Sequence, residues 1–241
     1  MNKETTVDWR KVKAVIFDVD GTLYDQSKLR KKMLLALLNF YLWRPWRINE
    51  IMMLAHFRSE RERRAGRYCQ DLENAQYTWC SEKKGYPVSK IREVVEQWIF
   101  KHPVKYLEQC MYLGTREFFN TLRQHDIKIA IYSDYKAYDK LKAMNLGADL
   151  VVSSTDPEVD RLKPDPKGLI YASARLGVAI EDCLFIGDRH EMDGACALSA
   201  GMPYLIVDKK PFEEFDFYTT LTSHLTQTIK QQTYGKQHNA S

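Results

Sequence analysis

The chain has 241 residues, 44% hydrophobic and 28% charged, the balance of a soluble globular protein long enough for a full core and a second small domain. A net charge of +4 is too mild to demand a nucleic-acid partner, although it suits an anionic substrate. Cys69, Cys80, Cys110, Cys183 and Cys196 are scattered, odd in number and never spaced C-x-x-C. They argue against a disulfide framework or a zinc site and fit a reducing cytosol. Met1 to Lys13 is polar and shows no secretory apolar region, so a cytoplasmic location is expected.

The first predicted strand is Val12 to Phe17, a near-continuous apolar run of the kind buried on both faces of a parallel sheet. It ends in Asp18-Val19-Asp20-Gly21-Thr22, where the glycine permits a sharp turn. The pattern then becomes helical. Lys28 to Trp43 carries Leu29, Met33, Leu34, Leu37, Leu38 and Tyr41 at three- and four-residue spacing, and Pro45 interrupts it. Ile48 to Ala65 reads as a second helix, rich in arginine towards its end and stopped by Gly66. Leu72 to Lys84 and Ser89 to Lys101 are a third and a fourth.

From about Gly114 strands and helices alternate. The helices are Thr115 to Gln124, Lys136 to Asn145, Pro166 to Leu176 and His190 to Ala200. The strands are Ile127 to Tyr132, Leu150 to Val152, Cys183 to Ile186 and Tyr204 to Val207. The predicted fold is therefore α/β, a Rossmann-like doubly wound parallel sheet with an inserted α-helical cap domain. Residues 1–25 and 109–215 would form the discontinuous core and 26–108 the cap. Residues 216–241 would form a last helix and a tail, disordered from about Gly235.

Polar clusters recur just after the predicted strands. Beyond Asp18 and Asp20 they are Ser133-Asp134, Lys163-Pro164-Asp165-Pro166, and Gly187-Asp188 with Asp193 five residues on. Each alone has an ordinary explanation: a helix cap, a solvated charge, or an acidic helix start. Open parallel sheets place their chemistry at the carboxyl ends of the strands, and four such clusters in this order favour an active site.

In these clusters the chain resembles the haloacid dehalogenase superfamily of hydrolases, which are mostly phosphatases. The family's D-x-D-G-T motif is matched by Asp18 to Thr22, its strand-end Ser or Thr by Ser133, and its lysine, often in K-P-D-P, by Lys163 to Pro166. Its G-D followed by a further Asp is matched by Gly187-Asp188 and Asp193. The match spans nearly the whole chain outside the tail. Helices inserted between motifs one and two resemble the subclass with a helical cap. The true dehalogenases lack the second aspartate, so Asp20 points to phosphoryl transfer rather than dehalogenation.

The residue chemistry fits that resemblance. Asp18, which leads the motif, can attack phosphorus and form an aspartyl-phosphate. Asp20 can protonate the leaving oxygen and then deprotonate the attacking water. Ser133, Asp134 and Lys163 are the expected phosphate-binding residues, with Lys163 a compact point charge. Carboxylates meeting a phosphate would repel, and Mg²⁺, which takes hard oxygen ligands, relieves this. Asp18, Asp188 and Asp193 are the expected metal ligands, and the resemblance adds the backbone carbonyl of Asp20 and a partly water-mediated role for Asp193. A small-molecule phosphate monoester is the expected substrate. A phosphomutase would keep all four motifs, and a non-catalytic binding protein would be expected to lose one. A Schiff-base phosphonate hydrolase would need a reactive cap lysine, and nothing marks Lys28, Lys31 or Lys32 as one.

The cap is less readable. Trp43, Trp46, Trp79 and Trp98 read first as packing of a small helical core. The basic start Lys28, Arg30, Lys31, Lys32 and the apolar body after it could instead lie on a membrane surface, the less favoured reading. The apolar run is too short to span a bilayer. Arg58, Arg61, Arg63, Arg64 and Arg67 read as a solvated face, with contact to an anionic substrate as the alternative. Neither the leaving group nor the oligomeric state follows from the sequence.

Overall fold

The computed structural model describes residues 7–238, with side chains through residue 231. Five parallel strands form one sheet in the order β3-β2-β1-β4-β5. They are β1 (Ala14–Phe17), β2 (Lys128–Ser133), β3 (Leu150–Ser153), β4 (Cys183–Gly187) and β5 (Tyr204–Ile206). β1 is central, with Ile16 in register with Ala130 on one side and Phe185 on the other. The chain leaves β1 towards β2 and β3, then crosses back to β4 and β5. The order thus reverses at β1, which is where such sheets open a crevice.

Every residue of β1 is buried, as its unbroken apolar run requires. Alternate residues serve opposite faces. Val15, Phe17, Ile129 and Ile131 face helices α7 (Thr115–Gln124) and α11 (Phe217–His238). Phe17 stacks on Phe119 of α7 at 4.6 Å between ring centres. Ile16, Ala130, Tyr132 and Phe185 face α9 (Lys167–Leu176) and α10 (Ala195–Ala200). Helix α11 is the last helix the sequence suggests, and Tyr218, Leu221 and Leu225 bury it against the core. The expected disorder from about Gly235 falls partly on this helix and partly on residues 239–241, which lie outside the described residues.

Between β1 and α7 lie α1 (Gln26–Leu42), α2 (Asn49–Arg63), α3 (Leu72–Lys84) and α4 (Val88–Val95), followed by the short α5 (His102–Val104) and α6 (Leu107–Cys110). They bury a separate apolar cluster that includes Phe57, Tyr77, Val94, Val95 and Trp98. The predicted helix over Ser89 to Lys101 is one segment whose second half, Glu96–Lys101, widens to a π-helix. The same widening occurs at His190–Gly194, before α10. Period alone does not reveal such an inserted residue.

The predicted apolar stripe of α1 is only partly a packing stripe. Leu29 and Tyr41 are buried, whereas Leu34 and Leu38 are more than half exposed. Trp43 and Trp46 are 72% and 75% exposed, so of the four cap tryptophans only Trp98 is fully packed. Core packing is therefore the wrong reading for Trp43, Trp46 and the outer leucines.

Core and cap are joined by polar contacts. The Asp160 carboxylate accepts from the backbone N–H groups of Asp71 and Leu72, at 3.0 and 2.6 Å, and so caps α3 from the core. Arg189 reaches Glu62 at 2.8 Å, and Arg161 donates to the carbonyl of Cys69 at 3.4 Å. No described helix is long and apolar enough to cross a membrane.

Candidate active site

All four strand-end clusters meet above the carboxyl edge of β1, β2 and β4. Asp18 follows β1 directly and is 6% exposed. Its Oδ2 accepts from the Thr22 hydroxyl at 2.8 Å, inside the turn that Gly21 makes at φ +93°. A Cβ on Gly21 would fall 2.3 Å from Asp188 Oδ2, so both the backbone angle and the space require glycine. Gly187 is equally constrained, since its Cβ would lie 2.3 Å from that of Asp193.

Lys163, arriving on the loop after β3, lies between two carboxylates. Its Nζ donates to Asp18 Oδ1 at 2.6 Å and Asp193 Oδ1 at 2.7 Å. Burial alone would lower its pKa, but Asp18, Asp193 and Asp134 hold it well above the ordinary lysine value, so it remains charged. Asp18 is pushed up to about 7, first by burial and then by Asp193, Asp188 and Asp20, against the pull of Lys163. Asp188 is raised by burial despite Lys209, whose Nζ is 3.0 Å away. Asp193 Oδ2 accepts from the N–H groups of Asp188 and Arg189 at 3.1 and 3.0 Å.

Oxygens of Asp18, Asp188 and Asp193 lie within 4.8 Å of one another, all on buried residues. This crowd of hard, desolvated oxygen donors, held together by lysines, fits a divalent cation such as Mg²⁺.

Asp20 takes a different environment. Tyr24 donates to its Oδ1 at 2.5 Å, and Lys140 from α8 (Tyr138–Ala143) donates to the same atom. Burial raises Asp20, but Lys140 and Tyr24 outweigh it and leave the carboxyl below its ordinary value. Buried Tyr24, next to Asp20, is held well above 10 and stays a donor.

Ser133 ends β2, is 1% exposed, and accepts from the Tyr135 N–H at 3.3 Å. Asp134 turns its Oδ1 towards Ser154 Oγ at 2.6 Å and the Lys163 N–H at 3.2 Å. That carboxylate therefore braces the Lys163 loop.

The cleft above these residues has a volume of about 850 Å³. Its floor is ionic. Its roof is the cap, where Met33, Leu34, Leu37, Ile51 and Leu54 supply apolar surface and Arg58 and Arg61 supply charge. Arg61 is not part of a solvated face: it is 4% exposed, lies 4.3 Å over the Tyr135 ring, and donates to the Asp134 carbonyl at 2.5 Å. Arg64 instead holds Glu60 at 3.0 Å and covers Trp79.

A family model for haloacid dehalogenase-like hydrolases matches residues 12–201. The chain belongs to this family. It is 25% identical over 222 residues to the glyceraldehyde 3-phosphate phosphatase of Methanopyrus kandleri, covering 85% of this chain and 88% of that protein. It is 32% identical to the putative phosphatase YhcW of Bacillus subtilis over 112 residues, which are 43% of this chain and only half the length of that relative. Among solved structures, a 2-haloacid dehalogenase from Pseudomonas syringae has a TM-score of 0.61 at 15% identity, covering 91% of this chain and 99% of that one. A phosphatase of the family from Thermococcus onnurineus has a TM-score of 0.55 at 24% identity, covering 83% and 90%. These likenesses show the α/β fold with its helical insertion.

Within this hydrolase site, sequence reasoning missed Lys140, Tyr24 and Lys209. Lys140 lies on a helix that also offers Lys136 and Lys142 nearby, and no spacing singles it out. Tyr24 lies two residues beyond the first motif and was legible only as its neighbour, while Thr22 belongs to the motif but its bond to Asp18 was not foreseen.

Proposed function

We propose that this hydrolase is a Mg²⁺-dependent phosphatase of small phosphate monoesters, working through an aspartyl-phosphate on Asp18. The observation that supports this best is the placement of Asp18 at the end of β1, with Lys163, Asp188 and Asp193 around it and Asp20 in the same cleft. The second aspartate favours phosphoryl transfer over dehalogenation, as a departing alkoxide needs a proton and a halide does not.

An Asp18 oxygen attacks phosphorus, forming the O–P bond as the ester P–O bond breaks. Asp20, which Lys140 and Tyr24 hold ionised in the free protein, takes up a proton as the phosphate anion binds beside it and supplies that proton to the departing oxygen. A water then attacks the acyl-phosphate, giving its proton back to Asp20, and inorganic phosphate leaves. Tyr24 and Lys140 both occupy Oδ1 of Asp20, so Oδ2 is the atom assigned to proton exchange. Ser133 and Lys163 hold the phosphoryl oxygens as charge shifts onto them. Asp18, Asp188 and Asp193, with the carbonyl of Asp20, would hold Mg²⁺, which neutralises phosphate charge and orients the oxygens.

The test is hydrolysis of an aryl phosphate by the purified chain. Activity should require Mg²⁺, vanish on chelation, return on re-addition, and be lost in Asp18→Asn. Full turnover in excess chelator, or an active Asp18→Asn, would overturn the reading.

A further inference from the structure

Among the described residues, the outer face of α1 has no partner. Leu35, Leu38 and Leu42 are 68%, 57% and 74% exposed. They follow Lys31 at spacings of four, three and four residues, so all four lie along one face of the helix. Trp43 at the helix end and Trp46 just beyond it are exposed as well. The opposite side of α1 packs inward or lines the cleft, so this strip is additional to the substrate site. An exposed apolar strip of this length marks a contact surface rather than scattered leucines.

Its charge says what the contact is. From Gln26 to Asn49 there are six lysines and arginines and no aspartate or glutamate. Arg47 is spent on Glu50 and Glu93, and Lys32 on Gln109. Among the described residues, Lys31 and Arg44 pair with no carboxylate, and Arg44 lies over the Phe40 ring at 4.5 Å; Arg30 lines the cleft instead. Leucines and two tryptophans bordered by unpaired cations match a lipid surface, with apolar groups at the acyl boundary and cations among anionic headgroups. A second copy of the chain fits less well. A two-fold contact would present this strip to itself, and the strip holds no carboxylate to meet its cations.

We propose that the α1 face from Lys31 to Trp46 docks the protein peripherally on an anionic bilayer. The test is co-sedimentation of the full chain with phosphatidylcholine vesicles containing phosphatidylserine, and with phosphatidylcholine alone, at low and high salt. The wild-type chain should sediment with the anionic vesicles and be released by salt. Leu35→Glu/Leu38→Glu and Lys31→Glu/Arg44→Glu should each weaken binding by roughly tenfold or more. Both should keep the wild-type melting temperature and aryl-phosphate turnover, since none of the four residues lines the cleft. No binding to anionic vesicles, equal binding to neutral ones, or undiminished binding of the variants would overturn the proposal. So would a wild-type dimer that ignores vesicles and that the leucine pair converts to monomer.

Discussion

At Asp20 two donors converge on one oxygen, and this separates the two aspartates of the first motif experimentally. Asp18→Asn should show no turnover and no burst, because an amide cannot form the acyl-phosphate. On the proposed mechanism, Asp20→Asn removes both the proton donor and the base. An aryl leaving group departs with little protonation, so the first step suffers less than the second. Rapid mixing should show a burst of about one phenolate per active site, then slow release. Linear release with no trapped phosphoenzyme, under conditions where the first step outruns turnover, would reverse these roles. Lys140→Ala should lower kcat by roughly tenfold or more, as it leaves Asp20 misplaced and uncompensated. An unchanged kcat would make Lys140 a purely structural partner. The motif residues were legible because each falls in the segment that follows a strand. Lys140 was not, because its burial is decided by a carboxylate 120 positions away.

In the cap helices, periodicity tells which residues share a face but not whether anything covers that face. The outer leucines of α1 and Arg61 of α2 were misjudged for this one reason, in opposite directions, whereas Arg58 and Arg63 are exposed as their spacing suggests. Glu60 of α2 is another case, a carboxylate 1% exposed that gathers Arg63 at 2.5 Å, Arg64 at 3.0 Å and Lys83 at 3.1 Å. Burial would raise its pKa, but hydrogen bonds from Arg63 and Lys83 prevail and hold it below its ordinary 4.5. A carboxyl lowered on folding stabilises the folded state above its unfolded pKa, and that stability is lost as pH falls through the folded value. Glu60→Gln should therefore cost about 1 kcal/mol at neutral pH, the partners being partly solvated. Thermal melts should show the gap between variant and wild type closing below about pH 4.5. A constant gap from pH 7 to pH 3 would assign the loss to packing instead.

At the scale of the molecule the cleft lies between two modules of unlike chemistry, an ionic sheet edge and a largely apolar roof. A phosphate monoester held at the floor would present its leaving group to Met33, Leu37 and Ile51. Along a series of alkyl phosphates, kcat/KM should rise by up to about fourfold per methylene until the roof is covered. Sugar phosphates should be poorer, and a reversed order would give the leaving group to Arg58 and Arg61. The layout of core and insertion was legible because strand and helix periods differ. The joint between them was not, since it rests on contacts such as Asp160 with α3 and Arg61 with the Asp134 carbonyl, which no local pattern foretells.

The Cys69 carbonyl bonded by Arg161 lies on the cap side of that joint, and its thiol is the one half-exposed sulfhydryl of the chain. Cys80, Cys110, Cys183 and Cys196 are buried, and burial raises the pKa of all five. The native protein is thus ready for single-site spectroscopy without mutagenesis. A maleimide spin label at mildly alkaline pH should add once per chain by mass, and five times after unfolding. Its line shape would then report whether cap and core move apart as substrate enters.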